Sequence, residues 1–324
     1  MNSLKLSVNR GFWLELAHRM AGRGFAAGLA GSIVRRWRWP LLLLLPAILV
    51  VPAGCTTLGL LALNTRASLA PVERQVNLHY TAGRAGSVDV YRPKPIVPGP
   101  GLPLVVFFHG GGWDDGNKGQ YRFVGAALAE AGLVAVLPNY RLYPHARRAD
   151  FMADAAQSLA WARAHAAEWG ADPAKVFVMG HSAGAQIALL LALDERYLNA
   201  VGGTTRWLRG VIGLSGPYDF LPFTDKYLED VFGPPAAFPD SQPINFVRAG
   251  APPAFLAHGL KDRRVRVANT ERLAAALRAL GNAVETRYYA SADHAQVIVA
   301  FSPVAPHRFP VLSDVRAFIG ENAR

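Results

Sequence analysis

Two glycine-framed motifs in this sequence hold residue types able to perform acyl-transfer chemistry. In Gly180-His181-Ser182-Ala183-Gly184 a serine has glycine two positions away on either side. Presenting a serine hydroxyl at the apex of a sharp strand-to-helix turn forces strained dihedrals and a close approach of neighbouring backbone. Side chains two residues away must therefore vanish. The helix N-terminus behind Ser182 adds a dipole that favours developing negative charge. In His109-Gly110-Gly111-Gly112-Trp113 three consecutive glycines present bare N–H groups that can converge on an oxyanion without steric hindrance.

Such groups need a rigid frame, and the surrounding pattern supplies one. Past residue 70, short apolar runs alternate with amphipathic stretches. Ser87–Tyr91 (SVDVY) alternates like an antiparallel strand. Leu104–His109, Leu133–Leu137 and Lys175–Met179 read as central strands covered on both faces. Further strands are expected at Gly210–Leu214, Ala254–Ala257 and Val284–Tyr289. Helices are expected at Tyr121–Ala131, Ala149–Trp169, Ala185–Leu193, Asn269–Leu280 and Leu312–Ile319. This alternation predicts a mostly parallel α/β sheet with ligands at the carboxyl ends of its strands. Both glycine motifs fall at such ends. The Pro- and aromatic-rich stretch Gly216–Pro253 interrupts the pattern and is a candidate lid or acyl pocket.

The chain has 324 residues, 51% hydrophobic and 18% charged, which is too apolar for disorder. Its 31 Gly and 23 Pro argue against a coiled coil or helical bundle, and a single cysteine excludes a disulfide framework and any multi-Cys metal site. The formal charge is +11, but residues 1–38 hold seven cations against one anion, so just over half the excess precedes one hydrophobic run. No basic stripe interleaved with aromatics occurs in the body, and a nucleic-acid partner is not expected.

From Trp39 to Asn64 no residue is charged, and Arg35-Arg36-Trp37-Arg38 stands immediately before. Residues 1–64 therefore read as a basic segment plus a secretory signal or membrane anchor. The positive-inside rule places the rest on the extracytoplasmic, periplasmic side. Pro40, Pro46 and Pro52 suit a short signal better than a long regular helix. Val51-Pro52-Ala53-Gly54-Cys55 resembles a bacterial lipobox, with Cys55 the lipidation candidate, although Pro52 departs from it; an uncleaved anchor is the alternative. Met20 is an alternative start. About 255–260 residues remain for one catalytic domain over 70–324.

The chain from about residue 70 resembles the α/β-hydrolase superfamily, in the branch of hormone-sensitive-lipase-like carboxylesterases, isoprenylcysteine methylesterases and arylformamidases. The shared residues are DVYRP (Asp89–Pro93), HGGGW (109–113), NYRL (Asn139–Leu142), GHSAG (180–184) and HGLKD-x-x-V (His258–Val265). The resemblance implies an eight-stranded, mostly parallel sheet with an antiparallel second strand and helices on both faces. It also implies a nucleophile, acid and base in that chain order. Ser182 is then the nucleophile, Asp262 the acid (Asp219 the rival) and His294 the base, with His307 expected as a surface or packing residue. Backbone N–H groups of Gly111, Gly112 and Ala183 form the expected oxyanion hole. His109 is expected to prop that loop, His258 to hold the acid loop, and His181 to be structural.

The implied activity is hydrolysis of a small-molecule carboxylic ester with no metal or organic cofactor. Arylformamidase, amidase or exopeptidase activity on the same machinery and a non-catalytic anchored binding protein are the alternatives. Trp113, Tyr140, Tyr218 and Phe220 are candidate pocket walls or packed core aromatics.

Overall fold

Strands β1 (Val72–His79), β2 (Ser87–Pro93), β3 (Leu102–Phe108), β4 (Val134–Pro138), β5 (Ala171–His181), β6 (Leu208–Leu214), β7 (Ala254–Gly259) and β8 (Val284–Tyr289) make one sheet. Their order is β1-β2-β4-β3-β5-β6-β7-β8. Strand β2 runs antiparallel to both neighbours and all other pairs are parallel, as the resemblance implied. This computed structural model describes residues 63–324 apart from 66, 84–85, 96–100 and 303–308. The signal or anchor up to residue 62, Cys55 and His307 lie outside the described residues.

The helices are α1 (Arg122–Glu130), α2 (Arg148–Ala164), α3 (Ala183–Leu193), α4 (Glu195–Asn199), α5 (Lys226–Phe232), α6 (Ala268–Ala279), α7 (His294–Val299) and α8 (Val311–Asn322). Alternate residues of each strand serve opposite layers. Leu104, Val106, Val176, Val178 and Leu256 share one core with α2, α3 and α6. Phe177 and Phe255 point the other way and both meet Phe318 of α8. Covering both faces explains why the central strands are continuous apolar runs. Each large side chain so buried contributes on the order of 1.5–3 kcal/mol.

Strand β2 is antiparallel, as its alternation suggests, but it has no wet face, since Ser87–Tyr91 are all buried. Tyr91 packs against Gly125 of α1, where a Cβ would come within 2.5 Å of the ring. The polar member, Asp89, is accommodated by a buried partner: Lys118 Nζ pairs with its Oδ1 and also reaches Asn77 Oδ1 at 2.7 Å. Polar–apolar alternation here records a sealed ion pair rather than solvent. The stretch between β6 and β7 is not wholly irregular either. It contains α5 and two 3-10 turns, Pro235–Ser241 packed on α5 and Pro243–Phe246 seated against α3 and α6.

Candidate active site

The strand ends gather the chemistry. Ser182 joins β5 to α3 at φ 56° and ψ −123°, a strained non-glycine conformation of the kind stored at functional sites. Its N–H donates to the Leu214 carbonyl at 2.9 Å, which pins the turn to β6. Both flanking glycines are required by contact. A Cβ on Gly180 would run into the Gly184 carbonyl, and one on Gly184 into the Phe108 carbonyl. Ala183 opens α3, so its N–H has no partner four residues back within the helix.

The glycine loop lies beside this turn. A Cβ built on Gly110 would be 3.2 Å from the Ser182 Cβ. Gly111 and Gly112 adopt φ 133° and 61°, and Trp113 follows at 64°. His109 is buried beneath them, its Nδ1–H donating to the Gly110 carbonyl at 2.8 Å. Burial pushes its pKa down to about 4, with that hydrogen bond a partial counterweight. Tyr140 stacks on His109 with ring centroids 4.3 Å apart and donates to the His109 carbonyl at 2.8 Å.

Asp262 and His294 meet. Their loops follow β7 and β8, and His294 Nδ1 lies 2.7 Å from Asp262 Oδ2. The same oxygen is 3.2 Å from His258 Nε2, and Oδ1 accepts from the N–H groups of Arg264 and Val265 at 2.8 and 2.9 Å. Burial opposes the charge on Asp262, but the hydrogen bonds from His258 and His294 and the charge of His294 outweigh it. They hold the carboxyl well below the usual range. His258, completely buried, also bonds the Val265 carbonyl at 2.9 Å and Thr270 Oγ1 at 2.8 Å. It ties down the loop that carries Asp262. An Nε2–H tautomer accounts for these partners, with the Thr270 hydroxyl donating to Nδ1.

His294 is the first residue of α7. Asp293 caps that helix, accepting from Gln296 N–H at 2.9 Å, and Gln296 returns the bond to the Asp293 backbone. His181 Nε2–H donates to the His294 carbonyl at 3.0 Å, and the two rings lie 4.8 Å apart. Burial, then the charge of His294, push the pKa of His181 down to about 3. His294 is thus gripped from both sides, by Asp262 at its ring and by His181, the neighbour of Ser182, at its carbonyl.

Of the remaining candidates, Asp219 pairs with Arg272 at 2.6 Å and its N–H is taken by Asn269, as befits a loop organiser. Tyr218 is completely buried, and Tyr140 nearly so. Trp113 packs parallel to Phe220 and edge-on to Phe232; Phe223 stacks on Phe232 and Phe238 meets Phe223, extending the aromatic cluster. Gln186 escaped the sequence reading. The available signal was one amide in the apolar run AGAQIALLLAL, where every residue proves buried.

Residues 88–277 match the BD-FAE family, and the chain belongs to it. It is similar to the probable carboxylic ester hydrolase LipM of Mycobacterium tuberculosis, 29% identical over 254 residues covering 72% of this chain and 56% of the relative. It is also similar to the isoprenylcysteine alpha-carbonyl methylesterase ICME of Arabidopsis thaliana, at 26% identity over 65% of this chain and 54% of that one. The chain spans about half the length of these curated relatives. Among solved structures, apo Thermogutta terrifontis esterase 2 superposes with a TM-score of 0.64 and 26% identity, covering 78% of this chain and 94% of that one. The same esterase has been solved with butyrate bound and phosphonylated by sarin.

Proposed function

We propose that the chain is a serine hydrolase of carboxylic esters, with Ser182 as nucleophile, His294 as base and Asp262 as the orienting acid. The observation that carries this reading is the 2.7 Å bond between Asp262 Oδ2 and His294 Nδ1. It fixes an imidazole on the strand-end face where Ser182 is held at positive φ. Esterase names among the relatives and the phosphonylated state of esterase 2 support it.

In this mechanism His294 removes the Ser182 proton as Oγ bonds to the ester carbonyl carbon. The resulting oxyanion lies against the N–H groups of Gly111, Gly112 and Ala183, each such donor worth about 10²–10³ in rate. Collapse breaks the bond to the alcohol, which leaves with the proton from His294. Water then attacks the acyl-enzyme by the reverse sequence. Asp262 stays ionised throughout and stabilises the imidazolium, which its depressed pKa favours.

The test is a panel of p-nitrophenyl esters of increasing acyl length with N-formylkynurenine and an aminoacyl amide as controls, alongside labelling by a fluorophosphonate. Ester turnover and a single label at Ser182, both absent in Ser182→Ala, are expected. Preferential cleavage of the formamide or amide assigns the alternative activity, and an unlabelled, inactive folded protein refutes catalysis. Residues 1–64 are read as a signal or anchor that delivers the domain to the extracytoplasmic side.

A further inference from the structure

Three hydrogen-bonding side chains that the mechanism does not use lie sealed beneath the glycine loop. Gln186, Ser241 and Gln242 are at most 1% exposed. Gln186 sits on α3 one helical turn past Ser182. Its Oε1 accepts from the Trp113 indole N–H at 3.2 Å, and its Nε2 donates to the Ser241 carbonyl at 2.8 Å. Ser241 Oγ accepts from Gln242 Nε2 at 2.6 Å and donates to the Phe238 carbonyl at 2.6 Å. Gln242 Oε1 accepts from the Phe220 N–H at 2.7 Å. The Phe220 ring then stacks back on Trp113, 12° from parallel with centroids 5.9 Å apart. The path from Trp113 through Gln186, Ser241, Gln242 and Phe220 closes on itself.

Every member of this circuit is satisfied, as a buried polar group must be to avoid a penalty of about 1–3 kcal/mol. What it secures is unusual. Trp113 directly follows the three glycines and holds φ at 64°, a conformation that costs a non-glycine residue about 1–3 kcal/mol unless its surroundings impose it. The indole bond and the Phe220 and Phe232 rings impose it, and the Tyr143 N–H clamps the Trp113 carbonyl at 2.9 Å. Trp113 lies inside the turn that carries Gly111 and Gly112, whose Gly111 carbonyl accepts from the Asp114 and Asp115 N–H groups at 3.3 and 3.0 Å.

We propose that Gln186 is a positioning residue: by fastening Trp113 to the 216–253 insert, it aims the glycine loop at the transition state. The inference rests on the esterase reading above and assigns Gln186 no contact with substrate. Because the glycine N–H groups act on the oxyanion and not on the ground-state ester, misaiming them lowers kcat and leaves KM nearly unchanged.

The experiment compares wild type, Gln186→Met, Trp113→Phe and the double variant on one p-nitrophenyl ester, with thermal melts and near-ultraviolet circular dichroism. Met fills the volume of Gln without hydrogen bonds, and Phe removes the indole N–H. Each single variant is expected to lose about ten-fold in kcat with KM changed less than about three-fold, as a sub-ångström misplacement implies. The double variant should be no slower than the slower single, since both cut one link. A Gln186→Met enzyme within two-fold of wild-type kcat, losses that multiply to about a hundred-fold, or a change confined to KM overturns the proposal. Should Gln186→Met fail to fold, Trp113→Phe decides alone by the same kcat criterion. A wild-type protein that turns over no ester instead refutes the underlying activity, a result distinguishable from all of these.

Discussion

Acid should destabilise this protein well above the range where carboxylates titrate, because two neutral imidazoles are sealed beside the site. Burial holds His109 at about 4 and His181 at about 3, whereas an imidazole in an unfolded chain titrates near 6.5. Between these values the unfolded chain binds protons that the native state refuses. Stability therefore rises with pH from about 4 to 6.5 on account of His109 and from about 3 to 6.5 on account of His181, and falls on acidification. At pH 5 each ring accounts for a loss of about 2 kcal/mol relative to pH 8, so the pair removes about 4 kcal/mol, a large share of a typical domain's stability of about 5–15 kcal/mol. Asp262 has the opposite sign of shift. Its depressed pKa adds stability that is complete above the ordinary carboxylate range and is lost only at lower pH, below the interval from about pH 5 to 8. Urea unfolding followed by tryptophan fluorescence at pH 8, 7, 6 and 5 measures the effect. His181→Gln, whose amide can still donate to the His294 carbonyl, should remove about half of the dependence. A free energy of unfolding at pH 5 within about 1 kcal/mol of that at pH 8 would refute the reasoning.

Gly111→Ala places a Cβ into the Asp115 carbonyl at a residue whose φ is 133°. Steady-state kinetics should show a loss of about 10²-fold or more in kcat, and wild-type turnover would remove Gly111 from the oxyanion hole. Cys55→Ala should shift the protein from the membrane to the soluble fraction and abolish lipid labelling if Cys55 is acylated; continued membrane association without a label assigns an uncleaved anchor.

The glycine motifs were legible because their signal is local: Gly180, Gly184, Gly111 and Gly112 stand where a side chain would collide or where φ is positive. Apolar runs marked the central strands for the same reason. Strand β1 was not legible. Its sequence VERQVNLH lies on an exposed sheet edge, where no core demands an apolar period. The pairing of Asp262 with His294 followed from chain order in the resembling family, but the start of α7 at His294 depends on a cap that periodicity ignores. Partners far apart in the chain stayed hidden: Gln186 could be seen as odd in an apolar helix, but not as the link between residues 113 and 241.

The order of the strands has a bearing on how the protein is made. The segment bearing His294 leaves the ribosome after all seven inner and early strands, and its strand β8 docks at the outer margin of the sheet beside β7. The serine turn on β5 and the glycine loop after β3 thus belong to strands inside the sheet, whereas His294 hangs from its margin. On the esterase reading proposed above, losing this one edge strand and the helix after it would cost Ser182 its partner while leaving the turn that holds it untouched.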